Sequence, residues 1–132
     1  MIVVDTSVLV AIAMSEADAS QLDATLTQAS TRLISAASIL ELTMVLSSRA
    51  RDPKAAASDL LQDYAMTVEP VDLAQLNAAQ DAFLAYGKGR HPAALNFGDC
   101  FSYALAKTRR APLLFKGADF PQTDIRSALH SR

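Results

Sequence analysis

Short apolar runs recur along the chain, separated by longer segments with helical patterns. The runs at residues 2–4, 32–35, 67–70 and 112–116 contain mostly apolar and β-branched residues and are predicted to be strands. For residues 2–4, which are too few to show a periodicity, the β-branched content favours a buried strand. We also expect residues 123–128 to form a last strand at the edge of the sheet.

Helices are predicted between these runs, mainly from signals at their ends. Asp52 before Pro53 combines a capping aspartate with proline at the first helical position, and Asp72 with Gln75 resembles a capping box. The segment 37–49 is apolar nearly all round, which predicts a buried helix. The predicted helices are 8–14, 17–28, 37–49, 52–65, 72–86 and 97–109, and residues 130–132 are expected as a frayed tail. This alternation favours a parallel α/β sheet with helices on both faces.

The composition is typical of one compact domain. The chain has 132 residues, 51% of them hydrophobic, so residues 1–132 are expected to form a single domain with its own core. The formal net charge of −2 argues mildly against a general polyanion binder, which is usually basic. That objection weakens if the acidic residues are concentrated in one site.

The cysteine content and the first residues bear on the cellular compartment. Cys100 is the only cysteine in the sequence, which excludes an internal disulfide and a cysteine zinc site and favours a reducing, cytoplasmic location. The apolar N-terminal run has no basic region before it and is interrupted by Asp5. We therefore expect neither a signal peptide nor a membrane-spanning segment.

Four carboxylates follow or interrupt apolar sequence. Asp5 and Asp119 come after predicted strands, and ligands of open α/β sheets bind beyond the carboxyl ends of strands. Glu41 lies within an apolar helix, where an unpaired carboxylate is costly or changes its pKa. Asp99 opens a helix, three residues after Asn96. Each also has a structural explanation, which is a helix cap for Asp5, a salt bridge for Glu41, a capping box for Asp99 and a turn for Asp119.

Taken together, the four carboxylates predict a cation site. All of them could meet at one end of a parallel sheet, and like charges in one pocket raise one another's pKa unless a cation offsets them. Oxygen ligands without histidine or cysteine suit Mg²⁺ or Mn²⁺. Such sites leave positions for water and a substrate phosphate, so the chemistry that follows is metal-assisted phosphodiester hydrolysis.

Four stretches cover nearly the whole chain and read MIVVDTSVLVAI, SAASILELTMVL, GKGRHPAALNFGDCFSYALAK and LLFKGADFPQTDI. In the same order, they resemble the PIN-domain ribonucleases and specifically the VapC toxins of bacterial type II toxin–antitoxin pairs. The resemblance implies a three-layer α/β/α fold around a short parallel sheet of about four or five strands flanked by helices. It also implies a Mg²⁺- or Mn²⁺-dependent endoribonuclease, a hydrolase whose products carry a 5′-phosphate and a 3′-hydroxyl.

The same resemblance assigns roles to individual residues. Asp5 and Asp99 would be the principal metal ligands, while Glu41 and Asp119 would complete the catalytic set directly or through water. The residues expected to line the pocket by hydroxyl are Thr6 and Ser7.

An acidic chain that cleaves RNA needs local basic residues to bind it. Lys88, Arg90 and Lys116 lie nearest in sequence to the predicted site and are the RNA-binding candidates, although each is also consistent with an ordinary solvated charge. Asp124 is expected to cap a turn or strand rather than to act as a fifth acid, and His91 is expected to be a loop residue.

The resemblance also implies protein partners. Part of the apolar surface of helices 17–65 is expected to serve as a homodimer face and as a groove for a helix of a cognate VapB-like antitoxin, with core packing as the alternative. Two other readings stay open, namely a PIN-type RNA-maturation nuclease without an antitoxin and a non-catalytic binding module on the same fold. A phosphoacceptor receiver domain fits less well, because the third predicted strand ends on Glu69 without an aspartate.

Overall fold

A parallel sheet lies at the centre of the computed structural model, which describes residues 1–129, so that the expected tail lies outside the described residues. Its strands are β1 Ile2–Val4, β2 Arg32–Ser35, β3 Thr67–Glu69 and β4 Leu113–Leu114. They are hydrogen-bonded in the order β3-β2-β1-β4, and every pair is parallel. The predicted parallel sheet is confirmed, with four strands in this part of the chain.

Helices connect and cover the strands, and each predicted helix is present with small changes at its ends. Their bounds are α1 Thr6–Ala13, α2 Ala19–Gln28, α3 Ala36–Leu46, α4 Pro53–Asp63, α5 Leu73–Tyr86 and α6 Phe97–Arg109, followed by a short 3₁₀ turn at Phe120–Gln122. None of the helices between residues 1 and 129 is both long and apolar enough to cross a bilayer.

Alternation along the strands divides the interior into two apolar cores. Val3 and Leu33 pack with α5 and α6 on one face of the sheet. Val4 and Ile34 pack with helices α1 to α4 on the other face. Because successive side chains of a strand point to opposite faces, β1, which is covered on both, is apolar throughout, and the domain has three α/β/α layers.

Helix α3 is buried on one side only. Ser38, Leu42 and Leu46 face the core, whereas Leu40 and Met44 are 63% and 66% exposed. The prediction of a helix buried all round was therefore wrong, since α3 lies in an outer layer with one face against the sheet and its neighbours. Its outward apolar residues form a surface rather than part of the core.

The expected last strand at residues 123–128 was also wrong, apart from a single bridge between Leu113 and Ser127. Asp124 instead accepts hydrogen bonds from Tyr103 at 2.6 Å and from Lys107 at 2.5 Å, which hold the segment against α6. Partial burial opposes ionisation of Asp124, but these two donors outweigh it and lower its pKa. Asp124 thus serves to anchor the C-terminal segment and does not reach the acidic cavity described below.

Candidate active site

A cavity of about 420 Å³ lies beyond the carboxyl ends of β1 and β4. It receives all four of the predicted acids and both of the predicted hydroxyl residues, and Lys116 is the one RNA-binding candidate that reaches it. The residues concerned are Asp5, Thr6, Ser7, Glu41, Asp99, Lys116 and Asp119. Parallel strands bring their carboxyl ends to one edge, which is why residues distant in sequence meet here.

Asp5 serves both as a helix cap and as a wall of the cavity. It directly follows β1, and its N–H continues the sheet by donating to the carbonyl of Leu114 at 3.0 Å. One carboxylate oxygen accepts the N–H of Ser7 at 3.0 Å and so caps α1. The other accepts the hydroxyl of Ser102 at 2.5 Å. Although Asp5 is only 4% exposed, both of its oxygens keep further lone pairs for a ligand.

Asp99 likewise has two functions. Its N–H donates to the side chain of Asn96 at 2.8 Å, and its carboxylate accepts the N–H of Asn96 at 3.0 Å, which completes the capping box. Burial, reinforced by the carboxylates of Asp5 and Asp119, raises the pKa of Asp99 to about 7 against a smaller lowering by Asn96. The capping interpretation is therefore correct and compatible with a role in the cavity.

Glu41 enters the cavity from α3 and is half-buried. Burial and the nearby Asp5 raise its pKa, while the neighbouring Thr6 hydroxyl lowers it in part. Its carboxyl group lies against the backbone of Gly98, since a Cβ atom added there would be 2.2 Å from Oε2. No basic partner was found for Glu41 among the described residues, so the salt-bridge alternative has no support there.

The donor set fits a hard divalent cation bound with the help of water. The acids and hydroxyls that converge all offer oxygen atoms. Burial is the main cause that raises the pKa of Asp99 and of Glu41, and neighbouring carboxylates add to it. Within residues 1–129, however, no three Asp, Glu, His or Cys side chains are already gathered as a ready-made cage. Mg²⁺ commonly uses one or two carboxylates and keeps several waters, so a pair of acids suffices.

The hydroxyl groups and Lys116 form hydrogen bonds that connect the elements around the cavity. The Thr6 hydroxyl donates to the carbonyl of Ser38 at 3.0 Å, and the Ser7 hydroxyl accepts the N–H of Lys116 at 3.0 Å. The Lys116 ammonium pairs with Glu16 and, at 3.1 Å, with Asp18, and both bonds raise its pKa. Lys116 thus stands at the cavity with its charge shared between two carboxylates.

Three residues at the site were not predicted from the sequence. Ser102 lies three residues after Asp99 and therefore on the same face of α6, a spacing that could have identified it. Gly98 is a glycine inside a predicted helix, which is itself a signal of a close contact. Glu16 lines the cavity from the α1–α2 connection, where no pattern distinguishes it from a surface acid.

Lys88 and Arg90 do not line the acidic cavity. Lys88 lines the α5–α6 groove, an apolar cavity of about 580 Å³ whose walls include Leu76, Phe83, Leu84, Phe97 and Phe101. The Arg90 guanidinium lies 5.8 Å from the centre of the Phe83 ring and donates to the carbonyl of Leu84 at 3.2 Å. The groove adjoins the acidic cavity, because Asn96 lines both.

Comparison with protein families and sequences gives a consistent result. A family model described as the PIN domain matches residues 2–126. The chain is 48% identical to Ribonuclease VapC30 of Mycobacterium tuberculosis over 124 residues, which cover 93% of this chain and 95% of that protein. It is 47% identical to Ribonuclease VapC of Mycolicibacterium smegmatis over 129 residues, which cover 97% of this chain and 99% of that protein.

Solved structures support the same fold. Mycobacterium tuberculosis VapC20, described as a toxin that cleaves the sarcin–ricin loop, superposes with a TM-score of 0.76 at 20% identity, over 95% of this chain and 96% of that one. VapBC2 of Rickettsia felis, bound to a DNA fragment from its promoter, gives a TM-score of 0.70 at 15% identity, over 96% of each chain. At this level of identity the likeness bears on the fold, and it agrees with the expected three-layer architecture.

Proposed function

Because the chain belongs to the PIN-domain family and is related over nearly its whole length to VapC ribonucleases, we propose that it is a metal-dependent endoribonuclease. We further propose that it is the toxin of a type II toxin–antitoxin pair. Its substrate would be RNA, and its products a 5′-phosphate and a 3′-hydroxyl. The cofactor would be Mg²⁺ or Mn²⁺.

The observation that carries the proposal is the meeting of Asp5, Glu41, Asp99 and Asp119 in one cavity. These acids come from four different elements or their ends, so local capping does not account for their convergence. Burial is the main reason that the pKa of Asp99 is raised to about 7, and the carboxylates of Asp5 and Asp119 add to it. A cation would relieve the repulsion between these carboxylates.

In this proposal Asp5 and Asp99 bind the cation, and Glu41 and Asp119 support it directly or through water. When bound, the cation supplies charge stabilisation at the scissile phosphate and activation of a water nucleophile. Asp99 must release its proton to become a ligand, and Ser102 keeps one oxygen of Asp5 fixed at 2.5 Å. The capping bonds of Asp5 and Asp99 orient both carboxylates before any ligand arrives.

The RNA contacts are proposed with Lys116 first. Its ammonium stands at the cavity, held by Glu16 and Asp18, and a substrate phosphate would compete with those carboxylates for it. Lys88 and Arg90 lie beyond the cavity, and their contact with RNA stays a prediction.

The structure offers two apolar surfaces for the proposed protein partners. One is the outer face of α3, where Leu40 and Met44 are mostly exposed. The other is the α5–α6 groove, where Phe97 is 82% exposed. Exposed apolar patches of this kind mark protein interaction sites, so we propose that the antitoxin and a second copy of the chain cover them.

The proposal is tested by RNA cleavage with purified protein in Mn²⁺ buffer. Wild-type protein should cleave, and chelation with EDTA should stop cleavage. Asp5→Asn and Asp99→Asn should each lower the rate by at least about 100-fold, because either change removes a principal ligand. Asp59→Asn, which alters an exposed acid on α4, serves as the matched control and should leave the rate unchanged.

Other outcomes of the same work favour the alternatives. Cleavage by the Asp99→Asn protein at the wild-type rate would refute the assignment of the site. Cleavage in vitro without growth inhibition on expression would favour a nuclease of RNA maturation. RNA binding without cleavage would favour a binding module. Neutralisation of growth inhibition by the product of a small neighbouring reading frame would support the toxin assignment.

A further inference from the structure

Gly98 occupies a helical position where nothing in the backbone requires glycine. It is the second residue of α6, and the glycines with positive φ within residues 1–129 are Gly89 and Gly117. Alanine is the more favourable residue in a helix, because glycine loses more conformational freedom on folding. The choice of glycine at this position therefore calls for an explanation outside the helix itself.

The surroundings of Gly98 provide that explanation. An added Cβ atom would lie 2.2 Å from Oε2, 2.6 Å from Cδ and 2.6 Å from Oε1 of Glu41. All the atoms of that carboxylate therefore rest against the one face of α6 that lacks a side chain. Real Cβ atoms do not come this close to other heavy atoms, so a methyl group and the carboxylate exclude each other there.

The contact fixes where Glu41 stands relative to the other acids. Glu41 comes from α3, whereas Asp99 directly follows Gly98 on α6. The Glu41 carboxylate on Gly98 is therefore held against the first turn of α6, the turn that also carries Asp99. Negative groups are also favoured at the N-terminus of a helix, which adds to the attraction of this position.

We propose that Gly98 is a positioning residue that admits the Glu41 carboxylate to the acidic cavity, where Glu41 contributes to divalent-cation binding. The role in cation binding rests on the proposed function. The packing of the Glu41 carboxylate against Gly98, here called the steric seat, does not. Gly98 acts only through Glu41 and touches neither the cation nor RNA. A methyl group at position 98 displaces the carboxylate rather than the helix, because the obstructing atoms are the end of a flexible side chain.

The test is a double-mutant cycle with two measurements, Mn²⁺ affinity by calorimetry and the Tm of the EDTA-treated protein. The proteins are wild type, Gly98→Ala, Glu41→Ala and the combination of both. Gly98→Ala should weaken Mn²⁺ binding by about 10- to 100-fold in the wild-type background, as losses of outer-shell partners do. In the Glu41→Ala background it should leave Mn²⁺ affinity unchanged.

Thermal stability gives the second, metal-independent comparison. In the Glu41→Ala background the carboxylate that obstructs a methyl group is gone, so Gly98→Ala should raise Tm by about 2–4 °C through helix propensity. The gain should be smaller or reversed in the wild type. It should be equally reduced in Glu41→Gln, whose side chain has the same size without the charge.

Several results would overturn the inference. One is that Gly98→Ala changes Mn²⁺ affinity by the same factor in the wild-type and the Glu41→Ala backgrounds. Another is that Gly98→Ala leaves Mn²⁺ affinity unchanged in both backgrounds. If the wild-type protein binds no Mn²⁺, the proposed cation site fails, and with it the role of Glu41 in cation binding. The Tm cycle then still decides the steric seat, because equal Tm changes in all three backgrounds would refute it.

Discussion

The side chain of Asp5 both stabilises the fold around the site and places a carboxylate in the cavity. Its carboxylate caps α1 through Ser7 and is held from the opposite side by Ser102, which is 1% exposed. The Ser102 hydroxyl lies 3.4 Å from that of Ser38, so the contact is part of a small buried polar group. A buried carboxylate depends on such donors, and losing one leaves it less compensated.

Ser102→Ala is therefore expected to lower the free energy of unfolding by about 1.5–3 kcal/mol, the usual range for a hydrogen bond to a charged group. Denaturant unfolding measures this change. Mn²⁺ affinity should fall as well, because one oxygen of Asp5 is no longer held in place. The control is Thr108→Val, which removes a hydroxyl that bonds only within α6 and should leave Mn²⁺ affinity unchanged. A Ser102→Ala protein as stable as wild type and with unaltered affinity would contradict this role.

At the scale of residues, the sequence allowed the acids to be identified but not the groups that hold them. The four acids can be picked out from the sequence because their neighbours along the chain are apolar; they are Asp5, Glu41, Asp99 and Asp119. Ser102 shares a helix face with Asp99, but its hydrogen bond to Asp5 depends on how α6 packs against β1. The contact of Gly98 likewise depends on how α3 and α6 meet, which no local pattern records.

At the scale of elements, Arg32 links the ends of two helices. It begins β2, and its guanidinium donates to the carbonyls of Leu26 at 2.8 Å, Ala29 at 2.7 Å and Tyr64 at 2.5 Å. The first two carbonyls belong to the end of α2 and its cap, and the third to the cap of α4. The last carbonyls of a helix have no partner within the helix, so Arg32 supplies donors for both ends.

Arg32→Ala should lower the free energy of unfolding by roughly 2–3 kcal/mol, since it leaves several carbonyls without a donor. Chemical denaturation provides the measurement, with Arg51→Ala, at an exposed position, as the matched control. RNA cleavage by the folded variant should be unchanged, because Arg32 lies at the opposite end of the parallel sheet from the cavity. Loss of cleavage without loss of stability would contradict this purely structural role.

The elements themselves were largely predictable, and the errors have physical causes. Strand runs and helix ends carry local signals, such as Pro53 behind Asp52. The burial of α3 could not be predicted from its composition, because an apolar helix looks the same whether its outer face meets the core or solvent. The prediction of a last strand at residues 123–128 was wrong because Asp124 binds α6, and this tertiary contact outweighs strand propensity.

At the scale of the whole molecule, acidic charge is gathered at one end of the sheet. The formal net charge is only −2, yet five acids line one cavity, the four predicted carboxylates and Glu16. Without a cation, folding raises the pKa of Asp99 from 3.8 to about 7, so the folded protein binds more protons than the unfolded chain between those pH values. The contribution of Asp99 to the free energy of unfolding therefore falls as pH rises through this range. A bound cation would reverse that loss.

The central claim, that these carboxylates hold a divalent cation, is tested most directly by calorimetric titration of metal-free protein with Mn²⁺ at pH 6 and pH 8. Binding should be tighter at pH 8 and should release protons at pH 6, because Asp99 titrates near 7 in the free protein. Asp5→Asn should abolish binding, Asp99→Asn should weaken it and remove its pH dependence, and Asp59→Asn should match wild type. Wild-type affinity in the Asp5→Asn and Asp99→Asn proteins, or binding that is independent of pH, would contradict the account.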